Sequence, residues 1–161
     1  MSRPLRAVAL VLTAVLALSF AACGGDDGGG DRLSKDEYIK QAEAIGQRVE
    51  KETNSLNTSN VSSPKELAPI LEKLRDQISS AKDNIGDLKP PEEVQQAHDK
   101  TIESLELFLK DLDPVIAAAK ANDTKKLQEL TSGSFPSQAA QRANQEAEKI
   151  YKEKGYGQLA D

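Results

Sequence analysis

Apolar residues recur at steps of three and four along most of this chain, and the departures from that rhythm mark its other parts. The chain begins with Arg3 and Arg6 and no acidic residue, then runs apolar from Ala7 to Ala22, interrupted only by Thr13 and Ser19. A positive start followed by a short apolar run is the pattern of an export signal. The run is shorter than the roughly 20 residues a bilayer-spanning helix needs. A cleaved signal over residues 1–22 therefore fits better than a retained anchor.

From Ser34 onward the period is helical. Ser34-Lys35-Asp36-Glu37 reads as a capping box ahead of Tyr38, Ile39, Ala42, Ile45 and Val49, and predicts a first helix from about Lys35 to Thr53. A polar loop from Asn54 to Ser62 follows. Ser63-Pro64-Lys65-Glu66 then repeats the capping logic with proline at the first helical position. Leu67, Leu71, Leu74, Ile78, Ala81, Ile85 and Leu88 form a coiled-coil-like seam on the second helix, in which Pro69 predicts either a kink or a start near Leu67.

Lys89-Pro90-Pro91-Glu92-Glu93 separates that helix from a third carrying Val94, His98, Thr101, Leu105, Phe108 and Leu112. Pro114 should bend or break it, and Val115 to Ala121 extends or restarts it. Asn122-Asp123-Thr124 marks a turn before a short helix through Leu130, and Ser132 to Pro136 reads as a loop with Phe135 plugging inward. A last helix from about Ser137 to Lys154 places Ala140, Ala143, Ala147, Ile150 and Tyr151 on one face and ends at Gly155. No segment alternates with period two, as a sheet would require. The expected fold is all-α: an antiparallel bundle of four main helices plus a short extra one, over residues 34–157, with 158–161 as a C-terminal tail.

Between signal and bundle, Gly24-Gly25-Asp26-Asp27-Gly28-Gly29-Gly30-Asp31 holds five glycines and no apolar residue, so residues 23–33 read as a flexible tether beginning at Cys23. Its aspartates lack the spacing of a calcium loop. Cys23 is the single cysteine of the chain, so no intrachain disulfide supports the fold. Removing residues 1–22 leaves 139 of 161 and takes away two arginines and no acid, which moves the net charge from −5 to −7. Nucleic acid is therefore not an expected partner, and the domain itself has no attraction to anionic lipid.

Residues suited to chemistry are few. His98 is the one histidine, with no second histidine or free cysteine to complete a metal site, and is expected half-buried with one ring nitrogen on solvent or a carboxylate. Helical metal-uptake lipoproteins carry a His-x-x-Glu signature where this chain reads His98-Asp99-Lys100-Thr101. No Gly-x-Ser-x-Gly elbow is present. The pairs Asp26/Asp27, Glu92/Glu93 and Asp111/Asp113 lack the aromatic platforms of a sugar cleft, and there is no tryptophan. No catalytic, cofactor or metal residues are expected, and the chain is not expected to be an enzyme. The loop Lys89-Pro90-Pro91-Glu92 is the one feature that could serve recognition from an exposed position.

Ser19-Phe20-Ala21-Ala22-Cys23 resembles a bacterial lipobox, although Phe20 replaces the usual aliphatic residue. Together with the Gly/Asp tether, Leu33 to Ile45, Leu88-Lys89-Pro90-Pro91 and Tyr156-Gly157, it resembles a group of small, functionally uncharacterised exported lipoproteins of actinobacteria. The resemblance implies lipidation (diacylglycerol, palmitate-type chains) at Cys23 and residence at the extracytoplasmic face of the cell membrane. Members of the group resemble one another in a cysteine where this chain has Gly46, and in another at the extreme C-terminus where it has none. The resemblance thus implies a tail, Tyr156 to Asp161, folded back against the first helix near Gly46. Two functions remain open. One is a non-enzymatic binding module for an envelope protein or a small apolar ligand; the other is a solute-capturing or sensing lipoprotein that works with a membrane partner.

Overall fold

In the computed structural model the described residues are 32–56, 61–133 and 135–160. The signal segment, Cys23, the Gly/Asp tether and Asp161 lie outside them. The described residues form five α-helices and no strand: α1 (Lys35–Asn54), α2 (Pro64–Gly86), α3 (Gln95–Lys120), α4 (Thr124–Ser132) and α5 (Gln138–Glu153). Single 3₁₀ turns cover Glu92–Val94 and Gly157–Leu159.

The helix ends follow local chemistry. The Glu37 amide donates to Ser34 Oγ at 3.4 Å and the Ser34 amide to Glu37 Oε2 at 3.1 Å, completing the capping box. Ser63 accepts from the Glu66 amide at 3.4 Å, and Asp123 from the Lys126 amide at 2.9 Å. Asn122 takes the left-handed turn after α3 with φ 54°, and Gly155 does so after α5 with φ 78°. Behind Gly155, the Tyr156 amide donates to the Tyr151 carbonyl at 2.7 Å, the long-range bond of a Schellman ending.

The two internal prolines interrupt nothing. Pro69 and Pro114 both sit inside continuous helices, each itself exposed. Uninterrupted, α3 extends about 39 Å at 1.5 Å per residue and serves as the spine. α2 and α5 make the largest interfaces with it, while α1 rests on α2 and on the C-terminal turn.

Apolar packing is divided between two centres along this spine. At one end Tyr38, Ile39, Val94, Ala97, Ala147, Tyr151, Tyr156 and Ala160 are buried together. At the other, Leu112, Val115 and Ile116 are covered by Leu71, Leu74, Phe108, Leu127, Leu130 and Phe135. Phe135 does plug inward, its ring centroid 5.7 Å from that of Phe108. Between the centres, buried Ala140 and Ala143 let α5 approach α3 closely, and Ser104 Oγ donates to the Ala140 carbonyl at 3.1 Å. Asp111 accepts from the Ser137 amide at 2.8 Å, so a carboxylate on α3 neutralises the positive end of α5.

The seam expected on α2 is buried in part: Ala81 is buried, and Leu71, Leu74 and Leu88 pack against the two centres. Its large aliphatic residues are only partly buried, and the buried positions are Ala68, Gln77 and Ala81. α2 divides its apolar arc between two neighbours: Leu71 and Leu74 turn toward the far centre on α3, while Gln77 and Ala81 face Ile45 and Val49 of α1. The packed region also exceeds the expected residues 34–157. The Leu33 amide donates to the Lys89 carbonyl at 2.8 Å, and Ala160 is 7 % exposed. Among the described residues no helix is long and apolar enough to cross a membrane.

Candidate functional site

The end of the molecule where α1 and α3 begin and α5 stops gathers every tyrosine of the chain with its one histidine. Arg32 and Leu33 fix the entry of α1 there. The Arg32 guanidinium donates to the Pro90 carbonyl at 2.7 Å and to Gln95 Oε1 at 2.8 Å. One turn into α1, Tyr38 is 1 % exposed. Its hydroxyl lies 3.1 Å from His98 Nδ1 on α3 and 2.7 Å from the Tyr151 hydroxyl on α5. Tyr156, wholly buried just beyond Gly155, packs edge-on against Tyr38 at 6.3 Å between centroids and donates its hydroxyl proton to Glu93 at 2.6 Å. Lys35 Nζ stands 4.7 Å from the centroid of the Tyr156 ring, a cation–π contact across the end of the cluster.

Burial sets the charge state of these groups. Desolvation pushes the Tyr38, Tyr151 and Tyr156 hydroxyls above the ordinary phenol range. Burial also holds His98 below the usual imidazole range, opposed only by the nearby Asp99 carboxylate. Glu93 is held below the usual carboxylate range, first by the hydrogen bond from Tyr156. At neutral pH the cluster is therefore a chain of uncharged donors and acceptors with one carboxylate at its rim.

Beside this chain lies a pocket of about 210 Å³. α1 contributes Ala42, Glu43 and Gly46, α2 contributes Ile85, α3 contributes Thr101, and the rings of Tyr38 and Tyr151 form one wall. Gln158 and Leu159 border it from the C-terminal turn, and it opens to solvent beside the exposed Gly46 and Gln158. A Cβ built on Gly46 meets nothing within 4 Å. The tail thus folds back on α1, and Gly46 borders the same space as Gln158, the neighbourhood that the resemblance implied. Asp161, the last residue of that expectation, lies outside the described residues.

Two expectations need correction. His98 is buried at 3 % exposure, and its partner is a tyrosine hydroxyl instead of solvent or a carboxylate, because α1 lays Tyr38 across the start of α3. Pro90 and Pro91 are buried, not presented. The Arg32 side chain and the Leu33 amide cover that segment by bonding its carbonyls, so it is no exposed polyproline contact. Among the carboxylate pairs, Asp111 caps α5 and Glu93 holds Tyr156, while Asp113 forms a 2.7 Å surface ion pair with Arg75. Exposed pairs of that kind contribute well under about 1 kcal/mol. Among the described residues no group of three or more His, Cys, Asp or Glu side chains is placed to hold a metal.

Sequence reasoning missed the tyrosines as a group. The signal was present: in helices that alternate in direction, Tyr38 near the first start, His98 near the third start and Tyr151 near the last end fall at one end of the molecule. Reasoning also missed Gln77, 9 % exposed, whose Oε1 is enclosed between α2 and α1 with no protein partner. Comparison of the chain with protein-family models, with curated proteins and with solved structures found no match.

Proposed function

We propose that this chain is an exported lipoprotein, cleaved after Ala22, anchored through lipid on Cys23 at the extracytoplasmic face of the cell membrane, and carrying a non-enzymatic module that captures a small apolar molecule. The anchoring half rests on the apolar start, the small residues before Cys23 and the glycine-rich tether. The module half rests on one observation, the 210 Å³ pocket walled on one side by tyrosine rings and bordered by the tail.

The helix directions support an antiparallel bundle as its frame. The entry to α1 bonds the Lys89 carbonyl after α2, and the Lys65 amide at the start of α2 donates to Asn122 Oδ1 after α3, at 3.3 Å. Packed helices leave voids larger than water only rarely, and cavities of about 150 Å³ with apolar walls accept benzene-sized guests. This pocket is below the usual range for drug-sized ligands, about 300 Å³ and up. Its guest is correspondingly small.

Two measurements test the reading. Cys23→Ala should move the protein out of the membrane fraction or block its processing, since stable residence needs the acyl chains; unchanged fractionation overturns the anchoring half. Toluene at ten times its dissociation constant should stabilise the mature chain by about 1.4 kcal/mol. No thermal shift at its solubility limit overturns the module half.

A further inference from the structure

The hydroxyls along the pocket wall restrict what can enter. His98 Nδ1, Tyr38 and Tyr151 form one hydrogen-bonded chain, and Tyr38 sits in the middle with 3.1 Å to the imidazole and 2.7 Å to the second phenol. A phenol has one proton, so the chain runs in one direction or the other. In one direction Tyr151 donates to Tyr38 and Tyr38 to His98, which leaves lone pairs on Tyr151 unused. In the other, His98 donates to Tyr38 and Tyr38 to Tyr151, and the Tyr151 proton is left free to face the pocket.

Thr101 in turn commits its own proton to the Ala97 carbonyl at 3.0 Å. In either direction a hydroxyl oxygen at the wall keeps spare acceptor capacity, in the second Tyr151 also offers its proton, and both Tyr151 and Thr101 line the pocket. Of the remaining lining residues, Ala42, Gly46, Ile85 and Leu159 are apolar, Gln158 is polar, and Glu43 adds the one carboxylate, which disfavours an anionic guest. We infer that the pocket is a binding site for a small, mainly hydrocarbon molecule that carries one hydroxyl and no negative charge, a phenol or cyclic alcohol, whose hydroxyl, able both to donate and to accept, bonds to Tyr151 and Thr101 while its ring lies against Gly46 and Leu159.

This inference rests on the capture of small apolar molecules proposed above, and its test separates the two. The protein is the chain from Cys23 with Cys23→Ser, which retains every described residue. The probes are phenol and toluene, equal in size and different in the donor, and binding is read from amide shifts of the ¹⁵N-labelled protein. The wild type should bind phenol saturably in the millimolar range. Tyr151→Phe with Thr101→Val should weaken phenol at least tenfold more than it weakens toluene, because the phenol hydroxyl is then left unpaired. Tyr151→Phe alone should give a smaller loss of the same sign, and retained toluene binding reports that each variant is folded.

Equal effects on both probes, or none on either, would overturn the donor-bearing class while the capture reading stands. Failure of both probes to bind the wild type would overturn both.

Discussion

Gly46 offers the sharpest test of the arrangement around the pocket. It lies in the interior of α1, where glycine is less favourable than alanine by roughly 0.5–1 kcal/mol because it loses more backbone freedom on folding. Glycine is retained in helices where a neighbour approaches too closely for a Cβ, but here a Cβ has no atom within 4 Å. Gly46→Ala should accordingly stabilise the protein by about 0.5–1 kcal/mol, with no steric penalty to subtract. Gly46→Leu should add to this by laying apolar surface at the pocket. Covering about 40 Å² at 25 cal/mol per Å² contributes roughly a further 1 kcal/mol.

Urea unfolding gives both values as shifts in midpoint at constant slope. Toluene binding should survive the alanine and disappear with the leucine, so stability and capture move in opposite directions. A fall in stability for Gly46→Ala would refute the reasoning, since it would mean that the space beside Gly46 is filled by closer packing of the tail.

Two further outcomes follow from buried polar groups. His98 binds its proton below the ordinary imidazole value of 6.5 when folded, so the unfolded state takes up more protons as pH falls, and stability should be complete above about pH 7 and decline below it. His98→Asn should flatten that slope in urea midpoints measured from pH 5 to 7.5; an unchanged slope would show that His98 does not carry it. Gln77→Met removes an enclosed acceptor without a protein partner and keeps the volume, so it should stabilise by about 0.5–1.5 kcal/mol. A loss of more than about 1 kcal/mol would reveal a bound water satisfying the amide.

The elements were legible in the sequence because their causes are local. Ser34 with Glu37, Ser63 with Pro64, Asn122-Asp123 and Gly155 each act within one turn of the helix end they define, so neighbouring residues sufficed to place α1 to α5 within a residue or two. Periodicity likewise marked the alanines of α5 as inward-facing. Helix interiors containing proline were not decidable in this way. Whether Pro69 and Pro114 interrupt a helix depends on whether the freed carbonyl faces water, which is a property of the packed molecule.

Only the tertiary structure could choose among equally apolar stripes, and it buried Ala68, Gln77 and Ala81 of α2 ahead of the leucines because two neighbours divide that helix between them. It also joined Tyr38 to His98 and Tyr151 across 60 and 113 residues of chain, and folded the Arg32 side chain over Pro90. Contacts of such separation leave no trace in local spacing, since what brings them together is the common end at which three helices meet. The candidate pocket exists only there, as the space that the tyrosine rings, Gly46 and the returning tail leave unfilled.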